Sequence, residues 1–231
     1  MHLAVPGGRK VSGSVMRWHD FVLGPSDTHM TSFVHPRSDP ASSDRLVLPA
    51  RLTSRARTWR DLAAELTHVD LVAVADHLVR RPRPALEGGR RQPWCTLDEL
   101  RAQCSGRHAA ALRRAHADVR IGADSPRETM LRLAFARAGL PEPRINAPLI
   151  GAHGQRLHDP DFQWPDYQIA AEYEGRTHSR KDQVARDIAR ARRVRSAGWS
   201  EVRLRAEDTY EECAGAVAEV RRELLAKGWR P

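Results

Sequence analysis

Apolar residues recur along this chain with two different periods, and the change from one to the other marks its elements. Leu62, Leu66 and Val69 fall at helical spacing. Leu71, Val74, Ala75 and Leu78 do the same over a helix expected from about Asp70 to Arg80. Pro82, Pro84, Gly88, Gly89 and Pro93 then interrupt the pattern, so the stretch from Arg81 to Pro93 reads as a linker and a domain boundary. Thr96 followed by Glu99 has the spacing of a capping box and opens a further helix. A short helix is expected from Arg107 to about Val119. Ser125, Pro126 and Glu128 give an N-cap, a first-turn proline and an acid three residues after the cap, with Gly139 placed to end that helix.

Beyond Pro143 the period changes to two. A strand is expected from Asn146 to Ile150, a turn at Gly151 to Gly154, and a hairpin over Asp159 to His178. In this hairpin the first strand runs to about Trp164, Pro165-Asp166 turns, and a second strand covers Tyr167 to Glu174. Alternation puts Glu172 and Glu174 on one face, and Ile169, Ala171 and Tyr173 on the other. A two-residue turn pairs Asp161 with Ala170, which brings Asp161 onto the face of the two glutamates, with His178 just past the strand. A basic helix from about Lys181 to Ser196, a strand from Trp199 to Arg205 and a helix from Asp208 to Ala226 complete the chain. The order helix, three strands, helix, strand, helix is α/β (α+β) with a mixed sheet.

Met1 to Val47 carries short strand-like pieces (His2 to Val5, Ser14 to Trp18) and a Ser, Asp and Pro-rich loop from Ser38 to Asp44. Strand-like sequence starts almost at Met1, which reads as a chain without a preceding module.

The 231 residues suffice for one or two domains with a real core, and 29% charged against 41% hydrophobic excludes a disordered whole. Net charge is +9, carried almost wholly by arginine. Arginine binds phosphate bidentately and stays charged, so a nucleic-acid partner is one reading; the arginine-favouring codons of a high-GC genome are the other. Three cysteines without a C-x-x-C pair point to a reducing compartment and away from a zinc site. With no membrane-length apolar run and no signal-peptide core, a cytoplasmic protein is expected.

Three carboxylates on one face repel each other, and a divalent cation is the usual compensator. Asp161 and Glu172 suit Mg²⁺ or Mn²⁺, with Glu174 as an added ligand and His178 as a general acid or base. Arg176, Arg180, Lys181, Arg186, Arg190 and Arg193 are the candidate contacts to backbone phosphates. A solvated strand face is the alternative reading of Glu172 and Glu174, and Asp159 takes the place of Asp161 if the register slips by two.

These residues carry a resemblance. P-D, then E-x-E in a strand (Glu172, Glu174), G-x-x-H (Gly175, His178), D-x-x-R (Asp187, Arg190), G-W (Gly198, Trp199) and V-x-R (to Arg203) resemble a bacterial domain related to very-short-patch-repair endonucleases. That domain lies within the PD-(D/E)xK nuclease superfamily. Ser125 to Pro143 is similar to the entry helix of the same group, and coverage is about residues 120–225. The resemblance implies a restriction-endonuclease-like mixed sheet flanked by helices and a metal-dependent DNA endonuclease. It also implies an acidic set of Glu128, Asp161 and Glu172 around the metal. One departure is plain: the superfamily's lysine, two residues after the second acid, is here Glu174. Leu52 to Ala63 (L-T-S-R-A-R-T-W-R-D-L-A) resembles the abortive-infection-type antitoxin family. The expected division is therefore an antitoxin-like region at 1–93, smaller and of helical or mixed structure, and a nuclease-like domain at 94–231. The alternative function is a non-catalytic DNA-binding or regulatory protein of the antitoxin type built on the same fold.

Overall fold

The computed structural model describes residues 2–4, 17–19, 23–34, 47–84, 87–151, 154–174 and 191–231. The chain forms two compact units, Met1–Asp61 and Leu62–Pro231.

In the first unit, β1 (His2–Ala4) pairs in parallel with β2 (Arg17–His19), and β3 (Thr28–Val34) pairs antiparallel with β4 (Val47–Thr53). The seven-residue strands β3 and β4 lie where the sequence offered little pattern. Helix α1 (Arg55–Leu62) follows β4 directly and buries Trp59 and Arg57. The Arg57 guanidinium donates to Asp27 at 2.8 Å and to Asp61 at 2.9 Å, so the buried charge is paired on both sides.

The second unit opens with helix α2 (His68–Val79), capped by the Thr67 hydroxyl, which accepts from the Asp70 N–H. Next come α3 (Leu97–Ala102), α4 (Ala109–Asp118) and α5 (Pro126–Arg137). Both expected caps are present. Thr96 and Glu99 form a reciprocal capping box, and the Ser125 hydroxyl accepts from the Glu128 N–H.

Contacts divide the chain after Asp61 and not in the expected linker at Arg81 to Pro93. That stretch is stapled to the second unit. The Trp94 and Cys95 N–H groups donate to the Leu78 carbonyl, Arg80 reaches Glu87 and Asp124, and the Arg90 guanidinium stacks on Trp94 at 4.4 Å.

After α5 the chain makes more strands than expected: β5 (Arg144–Ile145), β6 (Leu149–Ile150), β7 (Arg156–His158), β8 (Phe162–Trp164) and β9 (Ile169–Glu174). A helical turn over residues 191–196 (α6), strand β10 (Ser200–Arg205) and helix α7 (Ala214–Ala226) follow. The last helix begins six residues later than its apolar spacing suggests. Two 3₁₀ turns precede it, and Glu212 and Cys213 take left-handed backbone angles there.

The main sheet has the order β10-β9-β8-β5, with β10 parallel to β9 and the other pairs antiparallel. This is the mixed sheet flanked by helices of the α/β class. One face packs Ile169, Ala171, Phe162, Trp164, Val202 and Leu204 against α5 and α7. Phe135 of α5 meets Phe162 and Trp164 edge-on, at 5.4 and 5.6 Å between ring centres. The opposite face holds a smaller cluster of Leu149, Ala170 and Val194.

The hairpin turn is longer than the expected Pro165-Asp166. Pro165–Tyr167 form a 3₁₀ turn, Gln168 takes φ 51°, and β9 starts at Ile169. Trp164 therefore pairs with Ile169 and not with Tyr167.

Candidate functional site

The acidic face is built by the β8–β9 pairing. Phe162 pairs with Ala171 and Gln163 with Ala170, so the same register continued by one residue sets Asp161 beside Glu172. The expected partner, Ala170, is displaced by two positions. An even shift leaves the side chains of β8 and β9 on their expected faces, and Asp161 immediately precedes β8. An Asp161 carboxylate oxygen accepts the Tyr173 backbone N–H at 2.7 Å, which ties the aspartate to the strand opposite.

Glu128 comes from the first turn of α5 and is buried. One of its oxygens accepts from the Ser125 hydroxyl at 2.7 Å. The other accepts from the Asp124 N–H at 2.8 Å and from the Asn146 amide at 2.5 Å. Burial pushes the carboxyl above its usual range and the Asp161 charge pushes the same way, while the three donors pull against it. Through Asn146, Glu128 braces α5 against the residue that follows β5. Asn146 itself holds φ 46°, a conformation asparagine tolerates, and its N–H donates to the Asp161 carbonyl at 3.1 Å.

On the far side of Glu172 lies a residue that sequence reasoning passed over. His158, at the end of β7, sets its Nδ1 3.2 Å from Glu172 Oε1, with both side chains largely buried. The only local signal was a histidine in the run H-D-P-D. Its pairing with Glu172 depends on how the β6–β7 hairpin lies on the sheet.

Glu174 is exposed, and its carboxylate accepts from Arg203 of β10 at 3.0 Å. Arg203 is the register partner of Glu172 in the parallel β9–β10 pair. Arg193 is exposed on α6. His178, Arg176, Arg180, Lys181, Arg186 and Arg190 lie outside the described residues.

Among the described residues, no group of three or more His, Cys, Asp or Glu side chains is arranged to hold a metal ion. Asp161 and Glu172 form a pair of carboxylates. That donor chemistry matches Mg²⁺, which takes one or two carboxylates and keeps several waters. Glu128 already accepts three protein hydrogen bonds. No disulfide joins Cys95, Cys104 and Cys213, and among the described residues no helix is long and apolar enough to cross a membrane.

No family model matches the chain. It is 31% identical over 209 residues to the uncharacterized proteins Rv2248 and MT2308, from two strains of Mycobacterium tuberculosis. The match spans 86% of this chain and 76% of theirs. The chain belongs to the same family as these mycobacterial proteins. No solved structure matches it.

Proposed function

We propose that the protein is a metal-dependent DNA endonuclease of the PD-(D/E)xK type, related to the very-short-patch-repair group. The observation that carries this reading is the β8–β9 register, which sets Asp161 and Glu172 at opposite positions, with the buried Glu128 linked to Asp161 through Asn146. Asp161 and Glu172 would hold Mg²⁺ or Mn²⁺, and Glu128 braces the first turn of α5 behind them. When bound, such a cation lowers the pKa of a water and neutralises charge at phosphorus. Hydrolysis forms a bond from that water's oxygen to phosphorus and breaks the bond to the leaving sugar oxygen. One proton leaves the water and one ends on the leaving alcohol. His158 orients Glu172. His178, just beyond β9 in sequence, remains the candidate for the proton on the leaving group. Exposed arginines such as Arg193 serve as phosphate contacts, and a cytoplasmic setting accords with the three cysteines.

A second reading is favoured by Glu174. A carboxylate stands where the superfamily carries lysine, as expected of a non-catalytic DNA-binding or regulatory protein of the antitoxin type. Incubation of the chain with duplex, mismatched and single-stranded DNA in Mg²⁺ or Mn²⁺ separates the two. The enzyme reading expects cleavage by the wild type and loss of it in Asp161→Ala. Equal cleavage by the variant, or tight salt-dependent binding without cleavage, favours the second.

A further inference from the structure

Along β10, Val202 and Leu204 enter the core with Ile169 and Ala171. Alternation turns Arg203 to the opposite face, the one that carries Glu172 and Glu174. Register sets Arg203 next to Glu172, and its guanidinium donates to Glu174 at 3.0 Å and lies 3.7 Å from Glu201. The Arg203 side chain keeps 41% of its surface exposed, so a ligand on this face can still reach it. A fixed cation on the strand next to the acidic pair is thus anchored by the very residue that departs from the superfamily pattern.

We infer that Arg203 is a catalytic residue that supplies, from β10, the positive charge which the superfamily's lysine supplies from position 174, and that Glu174 positions it. The inference rests on the endonuclease reading above. A guanidinium stays protonated at any working pH, so Arg203 does not take a proton from water. Its planar fork instead donates to the non-bridging oxygens of a phosphodiester and stabilises the charge that grows there as the attacking oxygen bonds to phosphorus. The Glu174 hydrogen bond holds the fork, with the Glu201 carboxylate alongside. On this account the carboxylate at 174 is part of the device: a lysine there would repel Arg203, and a neutral residue would leave it loose.

The test is cleavage of a labelled DNA duplex in Mn²⁺ and in Mg²⁺, with duplex affinity measured in parallel and a thermal melt to confirm that each variant folds. Arg203→Ala is expected to slow single-turnover cleavage by about 100- to 1,000-fold, with duplex affinity changed by less than about threefold, as for an interaction made in the transition state. Glu174→Gln, which loosens the anchor but leaves the cation, should fall between Arg203→Ala and wild type. The decisive variant is Glu174→Lys combined with Arg203→Ala, which returns a cation to the superfamily position. It should cleave at least about tenfold faster than Arg203→Ala alone, a gain of about one factor of ten in rate constant. A folded double variant no faster than Arg203→Ala overturns the assignment, as does an Arg203→Ala chain that cleaves at the wild-type rate or loses only affinity. Cleavage that depends on Asp161 but not on Arg203 overturns this assignment alone. No cleavage by the wild type in either metal overturns the endonuclease reading and the assignment with it.

Discussion

Asp76 of α2 accepts a hydrogen bond from Arg132 of α5 at 3.0 Å, in a pair whose side chains are 1% and 4% exposed. The same carboxylate also accepts the Thr129 hydroxyl at 2.8 Å and the Arg120 N–H at 2.7 Å. Groups from α2, α5 and the residues just after α4 therefore meet at one carboxylate inside the second unit, while the Arg132 Nε stays buried without a hydrogen-bond partner. Burial nonetheless holds the Asp76 carboxyl above its usual range, with Arg132 the strongest opposing influence.

Breaking this pair from one side leaves the other charge buried and unpaired. Asp76→Ala and Arg132→Met are each expected to cost about 3–5 kcal/mol in urea unfolding. The combined change should cost clearly less than the sum of the two, because neither stranded charge remains.

Glu87 offers a pH test. The Arg80 guanidinium, the Arg83 N–H and the Arg90 guanidinium all donate to it, and its pKa is lowered from 4.5 to about 2, chiefly by the Arg80 bond. A lowered folded-state pKa means that the contribution is complete above the unfolded value and is lost as pH falls through the folded one. Melting temperature against pH should therefore show Glu87→Gln below wild type at pH 7. The gap should close between about pH 4.5 and pH 2, and a gap of constant size over that range contradicts the prediction.

Asn146 and Ser125 separate charge from capping at Glu128. Ser125→Ala removes the cap and one donor to the carboxylate, and should cost about 1 kcal/mol or slightly more. Asn146→Asp keeps a residue that tolerates the left-handed backbone but sets a new carboxylate against Glu128. It should cost about 1–3 kcal/mol at neutral pH and recover part of that loss in acid. Denaturant midpoints at two pH values distinguish the two.

Three aromatic side chains pack together in the core of the second unit. Phe135 is fully buried and touches both Phe162 and Trp164 edge-on. Phe135→Ala is expected to lose about 3–5 kcal/mol by guanidinium unfolding, and to weaken the near-ultraviolet signal of Trp164 before the far-ultraviolet signal changes.

Legibility followed sequence distance. The Thr96/Glu99 box and the Ser125 cap were readable because all their partners lie within three residues. The faces of β9 were readable because alternation survives an even slip in register. The register itself was not, since Gln168 adopts a left-handed angle that no glycine announces. His158 was missed because it meets Glu172 only through tertiary packing. Asp76 left a faint mark, a lone acid in the apolar run V-A-V-A-D-H-L-V. The ion pairs of Arg80, Glu87 and Arg90 left no local signal, because the proline and glycine around them show only that the helix stops.

The sheet also implies an order of assembly. Phe162 meets Ala171 across nine residues of chain (171 − 162), whereas Ile169 meets Ser200 across thirty-one (200 − 169). Closing the longer loop costs more entropy, and parallel pairing comes later than a local hairpin. Asp161 and Glu172 are thus brought together early, while the face still lacks its cation from β10. The newly formed hairpin is a like-charged surface awaiting Arg203. In pulse-labelled hydrogen exchange during refolding, the Tyr173 amide, held by Asp161, should gain protection before the amides of Val202 and Leu204.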